Sequence, residues 1–434
     1  MKITKKSKKL MSLFIDNECI NYSTFSSKTK SILLPLYDDL KNADEYIKSI
    51  QREKTEGSFY KLSIKKIATI SQIPMPSLFN ANNFPLEIRK QIENFSVYHL
   101  SYSFSLFQRE IGIHFVVEDT QVELFPEKYN AYVDKILVWL TLINQYSSKK
   151  CSKRLSLFIY MTSLEKNLPT SNVTVLDQIH VNTAFTHTCP VNSEIVVFRE
   201  EEWFKVLMHE TFHNFALDFS DMNTHPVNQK ILSIFKVDSE VNLFEAYTEF
   251  WAEIWNAMFC SFYLKENKRL DLEVQREHFL KNCEFFINFE RTYGFFQLVK
   301  TLKFMGLQYA DLYSANKKSQ MLRNTLYKEK SNILAYYVIR MVLLNNYQGF
   351  LSWCHSNNVK DSSLVSFKKT STNLEKMYTF IESNYKSSSM MNGVRCMEHL
   401  LASLYVEHEK RGKNKKKDRD FLLNNMRMTV CEMG

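Results

Sequence analysis

Glycine and proline are scarce in this chain, with eight of each among 434 residues, against an average usage of roughly 7% and 5%. Few tight turns can be built from so little of either, so long elements should dominate and the protein should be mostly helical. Long apolar runs are also missing. The best stretch, Ile333 to Leu344, is short and carries Arg340, which excludes a membrane-spanning helix of the usual length. The apolar stretch behind the basic start, Leu10 to Ile15, is interrupted by Ser12 and followed at once by Asp16 and Asn17, so no signal peptide is expected. Cysteines stand at 19, 151, 189, 260, 283, 354, 396 and 431 with no close pair and no repeated spacing. That pattern is neither a disulfide framework nor a Cys-x-x-Cys zinc knuckle, and free thiols in a reducing compartment are the expected state. No internal repeat of solenoid or propeller period occurs. A soluble protein of the cytoplasm or another intracellular compartment is the expectation.

What is present suffices for a packed core: 45% of residues are hydrophobic and 14% aromatic. The formal net charge of +9 is concentrated in two basic runs, Lys2 to Lys9 and Glu409 to Asp420. Such runs can grip nucleic acid or an anionic surface, although a solvated terminus explains them as well. Three regions are expected. Residues 1–100 read as an N-terminal helical region, with a helical pattern over 37–54 and a Pro-containing stretch from Pro74 to Pro85. Residues 101–220 change character: strand-like runs at Ile111 to Val117 and Leu155 to Thr162 flank an amphipathic helix from Glu127 to Tyr146. Two more strands are expected at Gln178 to Phe185 and Glu194 to Phe198. Glu200, Glu201 and Glu202 then place negative charge at the start of a helix from about Glu201 to Phe215. Residues 221–434 read as a helical subdomain with a basic tail, with helices expected at 243–263, 272–289, 295–307, 331–345 and 373–385. The fold class is therefore α+β, a small sheet with a motif helix followed by helices.

The motif helix carries His209-Glu210-Thr211-Phe212-His213. Residues four apart share a helix face about 6 Å along the axis, so both imidazoles can be directed at one ion. Glu210 falls beside that ion, where it can take a proton from water. A catalytic zinc site needs three protein ligands and one open position. Metzincins would place Gly at 216 and His at 219, but the chain has Ala216 and Phe219. Asp218, Asp221 and His225 follow the motif but would have to reach back from the end of the helix. A better source is Glu245, 245 − 213 = 32 positions on, in the run Glu245-Ala246-Tyr247-Thr248-Glu249. Glu249, one turn later, can fix the orientation of a ligating imidazole by accepting its other N–H. The bland alternative is that Glu245, Glu249 and Glu253 form a solvated stripe at i, i+4, i+8.

HETFH followed by EAYTE resembles the gluzincins, zinc metallopeptidases in which His-Glu-x-x-His is followed by a Glu-containing helix. The resemblance covers about Leu155 to Glu253, and it implies a zincin-like sheet, Zn2+ as cofactor, and His209, His213 and Glu245 as metal ligands. It further implies Glu210 as general base and a peptide or protein as substrate, its extended backbone pairing with one of the two strands before the motif helix. The Lys-, Asn- and Phe-rich usage resembles predicted metallopeptidases of large DNA viruses, which implies a virus-encoded protein. In such an enzyme the oxyanion needs a second electrophile besides the metal, commonly Tyr or His. Tyr336 and Tyr337 are the favoured pair and Tyr247 a third candidate, with His114, His180 and His187 more readily explained as structural. Two other readings stay open: a catalytically inactive zincin-fold interaction protein, and a basic protein that binds nucleic acid or a membrane surface.

Overall fold

A computed structural model describes residues 3–16, 22–53, 59–123, 126–264, 271–358, 363–410 and 416–433. Cys19, Lys2 and part of the second basic run lie outside them. A six-stranded mixed sheet is formed by β1 (Lys61–Lys66), β2 (Tyr98–Leu106), β3 (Arg109–Val117), β4 (Arg154–Met161), β5 (Ala184–Thr186) and β6 (Asn192–Val197), in the order β1-β2-β3-β4-β6-β5. The β3, β4 and β6 strands run parallel to one another, and the outer pairings are antiparallel. Helices account for most of the rest, in an α+β chain. Before the sheet is complete come α1 (Lys5–Asp16), α2 (Ser27–Glu53), α3 (Leu86–Phe95), α4 (Glu127–Tyr146) and the single turn α5 (Gln178–Val181). After it follow α6 (Trp203–Asn214), α7 (His225–Ile234), α8 (Leu243–Tyr263), α9 (Leu272–Phe304), α10 (Lys317–Leu326) and α11 (Arg340–Asn345). The last helices are α12 (Tyr347–Asn357), α13 (Ser371–Asn384), α14 (Ser388–Lys410) and α15 (Lys416–Asn424). No helix among the described residues is long and apolar enough to cross a membrane.

The period of two in the strands sorts their side chains onto two faces. Ile111, Ile113, Phe115 and Val117 of β3, with Leu155, Leu157, Ile159 and Met161 of β4, face the main core against α4, α6 and α8. Val116, Phe158, Tyr160 and Val196 point the other way, under Ile73, Phe84, Ile88 and Ile92. The main core runs from Ile3 to Cys431, so the three expected regions share one interior. The boundary placed at residue 100 falls inside β2, and residues 1–100 contribute β1 to the sheet, so that region is not purely helical.

Several expectations need correction. Gln178 to Phe185 is not one strand: Asp177 caps the turn α5 by accepting from Gln178 N at 2.6 Å, and extended backbone resumes only at Ala184. The helices expected over 272–289 and 295–307 are a single α9; Gly294 within it makes room for Arg340, whose Nη1 a Cβ there would meet at 2.5 Å. Neither basic run is a free tail in its described part. Lys5 to Lys9 lie on α1, whose Leu10, Met11 and Phe14 are buried, and the chain beyond the second run returns to the core, with Val430 and Cys431 fully buried. Cys151 and Cys189 are not free thiols but a disulfide, with Sγ–Sγ 2.02 Å. They lie three residues before Arg154 and Asn192, which are register partners in the parallel pair β4·β6. Strand pairing thus juxtaposes two cysteines 38 residues apart. The bond removes the argument from thiols for a reducing compartment; Cys260, Cys283, Cys354, Cys396 and Cys431 remain free.

Candidate metal centre

The α6 helix is buried along nearly its whole length, which only an amphipathic neighbour with matching polar groups makes tolerable. That neighbour is α8. Its Glu245 Oε2 lies 3.0 Å from His209 Nε2 and 3.4 Å from His213 Nε2, and the two Nε2 atoms are 3.1 Å apart. The ligand atoms of His209, His213 and Glu245 all fall within 4.8 Å of one another, so the group could hold a metal ion. Ligands held tetrahedrally at ~2.0–2.1 Å from zinc stand ~3.3 Å apart, close to these separations.

Both imidazoles are oriented from behind. His209 Nδ1 donates to Glu249 Oε2 at 2.8 Å, and His213 Nδ1 donates to Asp218. Carboxylates accept only, so in the neutral rings each Nδ1 carries the hydrogen and each Nε2 presents a lone pair, a tautomer assigned from the bonding partners. Two lone pairs and a carboxylate oxygen then face a common point, an arrangement that favours a cation there. Glu249 is held in turn by Lys205, one turn before His209 on α6. Asp218 reaches His213 because α6 ends in a tight turn: Ala216 adopts φ +56° and Leu217 N donates to Phe212 O at 2.9 Å, the six-residue closure of a Schellman motif. Ser220 Oγ donates to the other Asp218 oxygen at 2.9 Å.

Electrostatics follow from this packing. Burial works against charge on His209 and His213, but Glu245 and Glu249 around the first, and Asp218 and Glu245 around the second, hold both above the ordinary imidazole range in the metal-free protein. Burial likewise opposes charge on Glu245, but the two imidazoles hold its carboxyl well below the usual carboxylate range. The Glu210 carboxyl is pushed up by burial. Its carboxylate makes no hydrogen bond to any described residue, and it lines a small cavity, open on one side, together with His209, Tyr336 and Thr183.

The tyrosine candidates separate cleanly. Tyr336 lies on a π-helical turn, Leu334–Ile339, and its hydroxyl donates to Glu245 Oε2 at 2.9 Å. Tyr337 donates to Met426 O and Tyr247 to Val365 O, both away from the cluster. His114 stacks on Phe158, His180 sits in the α5 turn beside Asp177, and His187 stacks on Phe79. Of the residues after the motif, Asp221 pairs with Lys369, and Asp218 orients His213 rather than joining the ligand group. Glu201 and Glu202 do not serve the α6 N-terminus with their side chains. Glu202 adopts φ +60° and makes no side-chain cap; its carboxylate accepts from Met428 N and Thr429 N. Sequence reasoning overlooked Asp218 as an orienting group and Lys205 altogether. The signals were an acid inside the apolar run Phe215 to Phe219 and a cation four residues before His209.

No protein-family model matches the chain, and no curated protein or solved structure shows significant similarity to it.

Proposed function

We propose that the protein is a zinc-dependent peptidase of gluzincin type, with His209, His213 and Glu245 as ligands and Glu210 as general base. The observation that carries this reading is the convergence of two Nε2 atoms and one carboxylate oxygen beside a glutamate whose own carboxylate makes no hydrogen bond to a described residue. A two-imidazole, one-carboxylate set with both Nδ1 atoms tied to carboxylates matches the donor chemistry and outer support of catalytic zinc. The chemistry that a bound zinc ion supplies is polarisation of a carbonyl and a fall in the pKa of water towards ~7.

The chain's own groups do the rest. Glu210 takes a proton at a carboxylate oxygen from the water that attacks the carbonyl carbon, and passes it to the nitrogen that leaves as the C–N bond breaks. Tyr336, held protonated by burial and by Glu245, is placed to donate its O–H to a developing oxyanion. Glu249 and Asp218 keep the two imidazoles in one tautomer and one orientation. Purified full-length protein should hydrolyse a mixed peptide library, lose that activity on chelation and regain it with zinc. Hydrolysis that survives complete metal removal contradicts the proposal.

A further inference from the structure

The cavity beside Glu210 has polar donors among the residues that line it. Lys166 and Lys205 are 1% and 3% exposed, and both line it. Each ammonium carries three N–H donors and pairs with one carboxylate, Lys166 with Glu202 and Lys205 with Glu249. Their other N–H groups find no partner among the described residues. Thr183, also on the wall, is 4% exposed, and its hydroxyl is likewise without a partner. A buried hydroxyl left unmet costs free energy, and two ammonium groups beside it add positive charge, so this wall favours an acceptor that carries negative charge. The Glu249 oxygens on the same cavity are already taken by His209 and Lys205, so among the described residues Glu210 is the lining carboxylate without a hydrogen bond, and the proposed mechanism uses it. An amide would bring its own N–H donors against this wall. A carboxylate, which accepts only, would not.

We infer that this cavity receives a carboxylate of the substrate peptide, held by Lys166, Lys205 and Thr183. The inference rests on the peptidase reading for the identity of the ligand, though not for the chemistry of the wall. The carboxylate has two sources, an acidic side chain or the free end of a peptide.

The test is calorimetric binding of four N-acetylated tetrapeptides to zinc-loaded, full-length Glu210→Gln protein: an internal Glu peptide, its Gln counterpart, and an all-Ala peptide as C-terminal acid and as amide. At least one acid should bind about tenfold tighter than its neutral partner, the difference expected of a charge-assisted hydrogen bond. An advantage for the internal Glu identifies a side-chain subsite, and one for the C-terminal acid identifies a chain-end subsite. Lys166→Met should erase most of the advantage. Because that change breaks a buried ion pair, Thr183→Val, which breaks no hydrogen bond to a described residue, serves as the second variant and should reduce it too. Equal affinity for each acid and its neutral partner, measurable or not, overturns the inference, as does a preference untouched by both substitutions. A preference that depends on these residues in a protein whose wild type hydrolyses no peptide overturns the peptidase reading alone.

Discussion

Two stretches of α8 invite comparison. Glu245 and Glu249 occupy its first turns and Glu253 the next, at i, i+4 and i+8 of one helix stripe, and Glu249 and Glu253 are only 2% and 1% exposed. The first two carboxylates meet histidines, a lysine and a tyrosine, and both are held below the usual carboxylate range, Glu245 by the two histidines and Glu249 by Lys205 and His209. Glu253 meets the Arg340 guanidinium at 3.4 Å, with neither of its oxygens in a hydrogen bond. Burial, only partly offset by Arg340, pushes its carboxyl up. Residue type, helix and spacing are shared, so the opposing element decides: α6 supplies partners for charge, and the helix starting at Arg340 supplies one poorly placed cation. A stripe of acids on a buried helix is thus one wall of a candidate metal centre at one end and an ion pair without hydrogen bonds at the other, and nowhere the solvated face that the spacing alone permits.

That contrast can be attacked by substitution. Glu210→Gln, next to the ligand group but outside it, should keep zinc and lower the hydrolysis rate by about 10²–10⁴-fold; a rate within a factor of two of wild type removes Glu210 as the base. Tyr336→Phe should leave zinc content intact and lower kcat by roughly 10²-fold with little change in KM, whereas an effect on KM alone assigns it to binding. Glu249→Gln should weaken zinc binding by about 10–100-fold through loss of the His209 orienting bond, as followed by chelator competition. Glu253→Gln, one turn along, should leave zinc affinity unchanged, its effect falling on folding stability alone. Equal effects of the last two on zinc would erase the distinction between the two ends.

The same pair should part company with pH in the metal-free protein. Glu249 has a depressed folded pKa, so its stabilising contribution is complete above the unfolded value near 4.5 and is lost as pH falls below it. Glu253 has a raised folded pKa, so stability gains as pH falls through that value. Denaturant unfolding of the metal-free Glu249→Gln and Glu253→Gln proteins across acid pH should show slopes altered in opposite directions.

Parts of this arrangement were legible in the sequence for identifiable reasons. The α4 and α8 boundaries, Glu127–Tyr146 and Leu243–Tyr263, agree with the expected ranges, because apolar spacing acts locally and Pro126 stands directly before α4. His209 and His213 face one point because four residues make one helical turn. The hairpin β2–β3 escaped because its turn residues, Phe107 and Gln108, both take positive φ, the geometry usually advertised by Asn-Gly. The disulfide depends on strand register and Asp218 on the fold-back at Ala216, and neither is written in local spacing. The glycine inside α9 answers to the close approach of Arg340 from a distant segment. What the sequence hid is what distant elements decide.

The most direct test of the central claim is the zinc content of purified full-length protein by elemental analysis, in wild type, Glu210→Gln, His213→Ala and Glu245→Ala. Wild type and Glu210→Gln should each hold about one zinc per chain, and His213→Ala and Glu245→Ala should hold almost none while keeping their helical circular dichroism. Equal zinc in all four, or none in folded wild type after zinc loading, would contradict the metal centre itself.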